Sequence, residues 1–112
     1  MVVSLSHEKG SGSFNSVVRK SIQEGIASVV GRQTAVAVEF YLDPEMAVKD
    51  IAAYTVALEG LFKLGAKLIE DRCAIALYAN MWITFQKHEN FKLNDYVQDA
   101  RKKWLLGETS RH

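Results

Sequence analysis

Apolar positions recur at three- and four-residue spacing through most of this chain, and that period belongs to helices. Residues 14–30 show it first. Phe14, Val17, Val18, Ile22, Ile26, Val29 and Val30 make one stripe, with Arg19, Lys20, Gln23 and Glu24 opposite. Ser21 and Gly25 lie on that stripe and are small enough to admit a second helix at close range. Ser13 is placed to cap this helix and Gly31 to stop it. Residues 32–42 carry two readings. Thr34-Ala-Val-Ala-Val-Glu-Phe-Tyr-Leu42 is β-branched and aromatic enough for a strand. Ala35, Val38 and Leu42 also form a helical stripe, which Val36 and Phe40 broaden. Helical neighbours and the lack of a hairpin partner favour the helix, and Asp43-Pro44 ends it, since a residue before proline is pushed out of the α region. Residues 44–64 predict one or two short helices on Met46, Ile51, Tyr54, Val56, Leu58, Leu61 and Phe62. Asp50 caps the second, Gly60 weakens its interior and Gly65 closes it.

Residues 66–85 break the pattern. The charges Lys67, Glu70, Asp71 and Arg72 sit in the first two turns, and almost everything after Arg72 is apolar. A helix apolar nearly all round is a buried one, and the run from Cys73 to Phe85, interrupted by Asn80 and Thr84, is too short to span a bilayer. The stretch therefore predicts a central core helix carrying Tyr78, Trp82 and Phe85 at i, i+4 and i+7. The last helix covers residues 90–106, with Leu93, Tyr96, Val97, Ala100 and Trp104 on one stripe and Asp95, Gln98, Asp99, Lys102 and Lys103 on the other. Early acids and late bases suit its dipole, Asn90 or Asn94 is placed to cap it, and Gly107 stops it. The expected architecture is all-α, a compact bundle of four to five helices around 66–85. Residues 1–13 read as a flexible arm, 14–107 as one domain and 108–112 as a frayed tail.

Composition sharpens this only a little. The chain has 112 residues, 48% hydrophobic and 24% charged, with a net charge of +1. That suits one soluble domain with a real core and argues against a strongly basic nucleic-acid binder or a polybasic membrane protein. The single cysteine, Cys73, has no intramolecular partner and points to a reducing compartment. With no signal peptide in the opening Met-Val-Val-Ser-Leu-Ser-His, a cytoplasmic location is expected.

Candidate chemistry is sparse. His7 and His112 lie near the ends and His88 in the polar segment Gln86-Lys-His-Glu-Asn90, and no ligand cluster has metal spacing. Cys73 falls on the predicted buried face and reads as a small core residue. Glu39, Glu59 and Glu70 interrupt apolar stretches. A buried carboxylate pair could do acid–base work, but structural roles are expected, Glu70 receiving a helix N-terminus or an arginine. Gly10-Ser-Gly12 lacks the lysine and hydroxyl of a phosphate loop. No catalytic residue, metal or cofactor is expected. Two surfaces carry the functional expectation. The aromatic set Tyr78, Trp82, Phe85, Tyr96 and Trp104 either packs inside the chain, the favoured reading, or forms a subunit interface. Lys87, Lys92, Arg101, Lys102 and Lys103 are the alternative, a nucleic-acid contact, diluted by Glu89, Asp95, Asp99 and Glu108.

Residues 17–83 resemble a small archaeal helical family, the Nitrosopumilus-type sensory output domain. The residues that carry the likeness are Val18 through Val30 with Gly31, Ala35-Val-Ala-Val-Glu-Phe-Tyr-Leu42, Val48-Lys-Asp-Ile51 and Ala57-Leu-Glu-Gly-Leu-Phe-Lys-Leu-Gly-Ala-Lys-Leu-Ile-Glu70. Residues 43–50 depart from the pattern and the last helix lies outside it. The resemblance implies a compact all-α fold of archaeal origin, alone or joined to signalling proteins, and transfers no catalytic residues. Together these readings predict a non-enzymatic regulatory or protein–protein interaction module, homodimeric, with self-association or another protein as partner and no membrane contact.

Overall fold

The structure is a computed structural model and describes residues 11–107. Among these residues it is all α-helical. The helices are α1 (Ser11–Val30), α2 (Arg32–Val38), α3 (Pro44–Lys49), α4 (Ile51–Phe62), α5 (Ala66–Asn80) and α6 (Leu93–Leu105), with a 3-10 turn at Lys63–Gly65 joining α4 to α5. The expected terminal segments lie outside the described residues, except that 11–13 are already helical. Ser13 therefore sits inside the first turn of α1, not at the N-cap position before it.

Local chemistry explains most boundaries. Gly31 adopts φ 90°, which glycine alone reaches cheaply, so α1 stops there and α2 starts at an angle to it. The helical reading of residues 32–42 is correct, but the helix is short. It loosens after Val38 into a turn closed by the Leu42 N–H donating to the Val38 carbonyl at 2.8 Å. Ala35, Val38 and Leu42 are buried, whereas Val36 and Phe40 stay in solvent, so only the narrow stripe is used. The Asp43 carboxylate accepts from the Glu45 N–H at 2.9 Å and Pro44 takes the first helical position of α3. Asp50 caps α4 as expected, accepting from the Ala53 N–H at 3.0 Å.

The core is built on α1 against α5. The Gly25 Cα lies so close to α5 that a Cβ there would stand 2.5 Å from the Cys73 Cα. One turn back along α1, Asn80 Nδ2 donates to Ser21 Oγ at 2.9 Å and to Glu24 Oε1 at 3.0 Å. Gly25 meets Cys73 and Ser21 meets Asn80, so the two helices run antiparallel. Phe14, Val18, Ile22 and Ile26 fill the seam with Ile69, Cys73, Leu77 and Met81. The small residues on α1 thus do what their spacing predicts. Cys73 is a core residue: its thiol donates to the Ile22 carbonyl at 3.6 Å, and burial, with Glu70 nearby, pushes it up to about 12.

The predicted helix over 66–85 ends at Asn80. Trp82 takes φ 61°, and the chain then runs back along the bundle through residue 92. This return is required by the packing of α6. Glu70 touches Leu93 and Tyr78 touches Asp99, so α6 lies parallel to α5 and the chain must regain the start of α5 before entering it. On α6 the predicted stripe of Leu93, Tyr96, Val97, Ala100 and Trp104 is buried in full. Neither Asn90 nor Asn94 caps it. The Asp95 carboxylate accepts from the Lys92 N–H at 2.8 Å, and Glu70 supplies the second acceptor.

Tyr54 is the large core side chain among the described residues with a polar atom left unsatisfied. The Tyr54 side chain is fully buried and its hydroxyl has no hydrogen-bond partner. A buried hydroxyl that lost water without gaining a partner carries a desolvation penalty of about 1–3 kcal/mol. Y54F is expected to leave the midpoint of urea unfolding unchanged or raise it. A loss above about 1 kcal/mol would show that the hydroxyl is satisfied after all.

Candidate interaction surface

The aromatic residues singled out by their spacing separate into two groups. Tyr78, Tyr96 and Trp104 are buried inside the chain and Phe85 is half-buried against them. Tyr78 and Phe85 meet edge to face at 5.4 Å between ring centres, and Phe85 lies 5.3 Å from Tyr96. Phe91 joins from the return segment, 5.1 Å from Tyr96, with His88 stacked on it at 4.4 Å. Trp104 packs on Phe14 at 5.7 Å. This cluster glues the return segment to α5 and α6, an energetic role worth about 0.5–1.5 kcal/mol per ring pair beyond burial. Trp82 is the exception. It does not continue the Tyr78 stripe, because the helix has already ended, and it stands 77% exposed.

Polar groups in this region are committed to structure. Tyr78 donates a short hydrogen bond to Asp99 Oδ2, which also pairs with Lys103 Nζ at 3.2 Å. Burial and the Asp99 carboxylate push the Tyr78 phenol up. Burial works against ionisation of Asp99, but the bonds from Tyr78 and Lys103 outweigh it and hold the carboxyl below its usual range. Glu70 takes the structural role its setting suggests. Its carboxyl is buried and Oε1 accepts the Leu93 N–H at 2.8 Å, satisfying an amide at the start of α6. Burial, then hydrogen bonding to the adjacent Glu59, raise it to about 7, although the Leu93 amide favours the charged form. Glu59 moves the opposite way. Its bond with Glu70 lowers it against the pull of burial, and Lys92 assists at 3.3 Å.

The candidate nucleic-acid residues form no free basic face. Lys87 pairs with Asp71 at 3.7 Å, Lys92 with Glu59 and Lys103 with Asp99. The Arg101 guanidinium lies 4.9 Å above the Phe14 ring. Lys102 is exposed. No group of three or more His, Cys, Asp and Glu residues able to hold a metal occurs among the described residues.

The surface that sequence reasoning passed over is the outer arc of α5. Ala66, Ile69, Glu70, Cys73, Ala74, Leu77 and Tyr78 face the core. Leu68, Arg72, Ile75 and Ala79 fall at i, i+4, i+7 and i+11, on one line along the opposite side, and all are exposed. Leu68 retains 49% and Ile75 43% of its surface. The expectation that a helix apolar all round is buried all round therefore fails on this side. A helix covered by its own chain would place charged residues there, and α5 places one, Arg72. Leu64 just before α5 and Trp82 just after it are exposed apolar residues as well. The spacing alone could have flagged it, because two apolar lines on one helix need two partners.

No family model, curated protein or solved structure matches the chain. No helix among the described residues is long and apolar enough to cross a membrane.

Proposed function

We propose that this domain is a non-enzymatic regulatory module that works by self-association, a second copy covering the outer arc of α5. The observation that carries this reading is the line Leu68, Arg72, Ile75 and Ala79, apolar but for one residue and open to solvent on a helix whose other face is core. Its alternation of four- and three-residue steps is the spacing by which helices pair through knobs and holes. A two-fold axis near Ile75 sets two α5 helices antiparallel. Leu68 then faces the region of Trp82 in the other copy, and each Arg72 lies over the small Ala79 instead of over its own like charge. A stable interface buries roughly 800 Å² per partner, more than four side chains supply, so Leu64 and Trp82 belong to it. The lone buried thiol, and the pairing of Lys87, Lys92 and Lys103 with carboxylates among the described residues, fit a cytoplasmic partner protein of this kind better than a nucleic-acid regulator.

Analytical ultracentrifugation tests the proposal directly. The wild-type chain is expected to sediment as a concentration-dependent dimer. I75E, which places a charge in the middle of the arc, is expected to sediment as a monomer with an unchanged helical circular dichroism spectrum. A wild-type monomer at every concentration, or an I75E dimer, would remove α5 as the interface.

A further inference from the structure

We infer that the turn between α2 and α3 is a docking site for an arginine side chain presented by a partner protein. Phe40 is 84% exposed there and Tyr41 beside it is nearly as open, a large aromatic surface on a turn that sends only Leu42 into the core. Val36, Glu39, Phe40, Asp43 and Pro44 line one groove of about 260 Å³. Its apolar lining comes from Val36, Phe40 and Pro44, and its two charges are both carboxylates. Each carboxylate has one oxygen in use: Glu39 Oε2 accepts from Gln23 Nε2 at 3.2 Å, and Asp43 Oδ1 accepts from the Glu45 N–H at 2.9 Å. That leaves Glu39 Oε1 and Asp43 Oδ2 for a ligand. The nearby Arg19 is not available to fill the groove, since it holds Glu45 at 3.0 Å.

An apolar slot between an aromatic ring and two carboxylates matches one side chain best. Arginine has an aliphatic stem for Val36 and Pro44, and a planar cation that stacks on a ring while its fork of N–H donors reaches carboxylates. Lysine offers the charge without the plane or the fork. Val36 and Glu39 also line a second groove between α1 and α2, floored by Ala27 and Ala35 and flanked by Glu24, Lys20 and Arg32, so a segment carrying the arginine has room to lie there if its own charges are acidic or neutral.

Nuclear magnetic resonance titration of the intact chain with N-acetyl-arginine amide tests this. Saturable amide shifts are expected across residues 36–44, weaker with the lysine analogue and absent with the uncharged citrulline analogue. E39Q and D43N are each expected to weaken binding about threefold, the size of a partly exposed ion pair, and F40A to weaken it as well. Phe40 and Glu39 lie outside the core and Asn still caps a helix, so all three variants fold. Equal shifts from citrulline, shifts spread elsewhere on the surface, or affinities unchanged in E39Q and D43N would overturn the site.

Discussion

G25A unfolds at markedly lower urea than the wild-type chain, by about 3 kcal/mol or more, which is the upper range for an overpacked core. A methyl at position 25 would stand 2.5 Å from the Cys73 Cα, 2.6 Å from its amide nitrogen and 2.6 Å from its sulfur. Two of those three neighbours are backbone, so no rotamer change relieves the clash. The only relief is to move α1 away from α5, and every buried contact along that seam opens with it. Gly60 is the control. It lies inside α4 with open space where a Cβ would go, so G60A keeps the packing and gains the helix propensity of alanine, about 0.5–1 kcal/mol. Chemical denaturation of both variants checks the pair. Equal losses would mean that backbone flexibility, and not close approach, keeps glycine at position 25.

The second large effect is a fall in stability as the pH rises from about 4.5 to about 7. In the unfolded chain Glu70 loses its proton near 4.5, whereas in the fold it keeps it to about 7. Between those values the folded state binds more protons than the unfolded one, so stability decreases with pH. The stabilising contribution is complete below about 4.5 and gone above about 7, a swing on the order of 3 kcal/mol. Glu59 is shifted the other way, so its contribution is lost only as the pH falls below about 4.5 and leaves the decline due to Glu70 intact. E70Q keeps an oxygen for the Leu93 amide and cannot ionise. It is expected to match the wild type near pH 5, exceed it near pH 8, and show little slope between. Parallel stability curves for the two proteins would mean that Glu70 is already ionised at pH 5. E70A, by contrast, is expected to lose stability at both pH values, since it leaves the Leu93 N–H buried without an acceptor.

Most of the fold could be read from period alone, and the failures have identifiable causes. The stripes of α1 and α6 are buried as their spacing predicts, because each has polar residues on the other side to fix the phase. The end of α5 was hidden because residues 81–85 stay apolar after the helix stops. Yet the alternation is there: Ile83 and Phe85 turn inward while Trp82, Thr84 and Gln86 face water, a period of two. The outward arc of α5 was hidden for the opposite reason. Apolar residues on every side of a helix give no phase, and burial by default was the wrong inference for Leu68 and Ile75. At the α2–α3 turn, Phe40 extends a helical stripe that the chain abandons at Val38, and nothing local announces the stop until Asp43-Pro44. Glu70 was legible as a structural acid, but its partner on α6 was not, because that helix returns from the far end of a segment with no regular structure.

The seam between α1 and α5 also sets the order of events on the ribosome. Ile22 and Cys73, joined through the seam, are 51 residues apart in the chain. At common rates of synthesis, α1 therefore emerges roughly 3–10 s before the surface that will cover it. During that interval, of the helices that pack against α1, only α2 and α3 have emerged to cover Phe14, Val18, Ile22 and Ile26. The two short helices directly after α1, which bury Ala35, Val38 and Ala47 in the final core, are positioned to shield its apolar side while the nascent chain waits for α5.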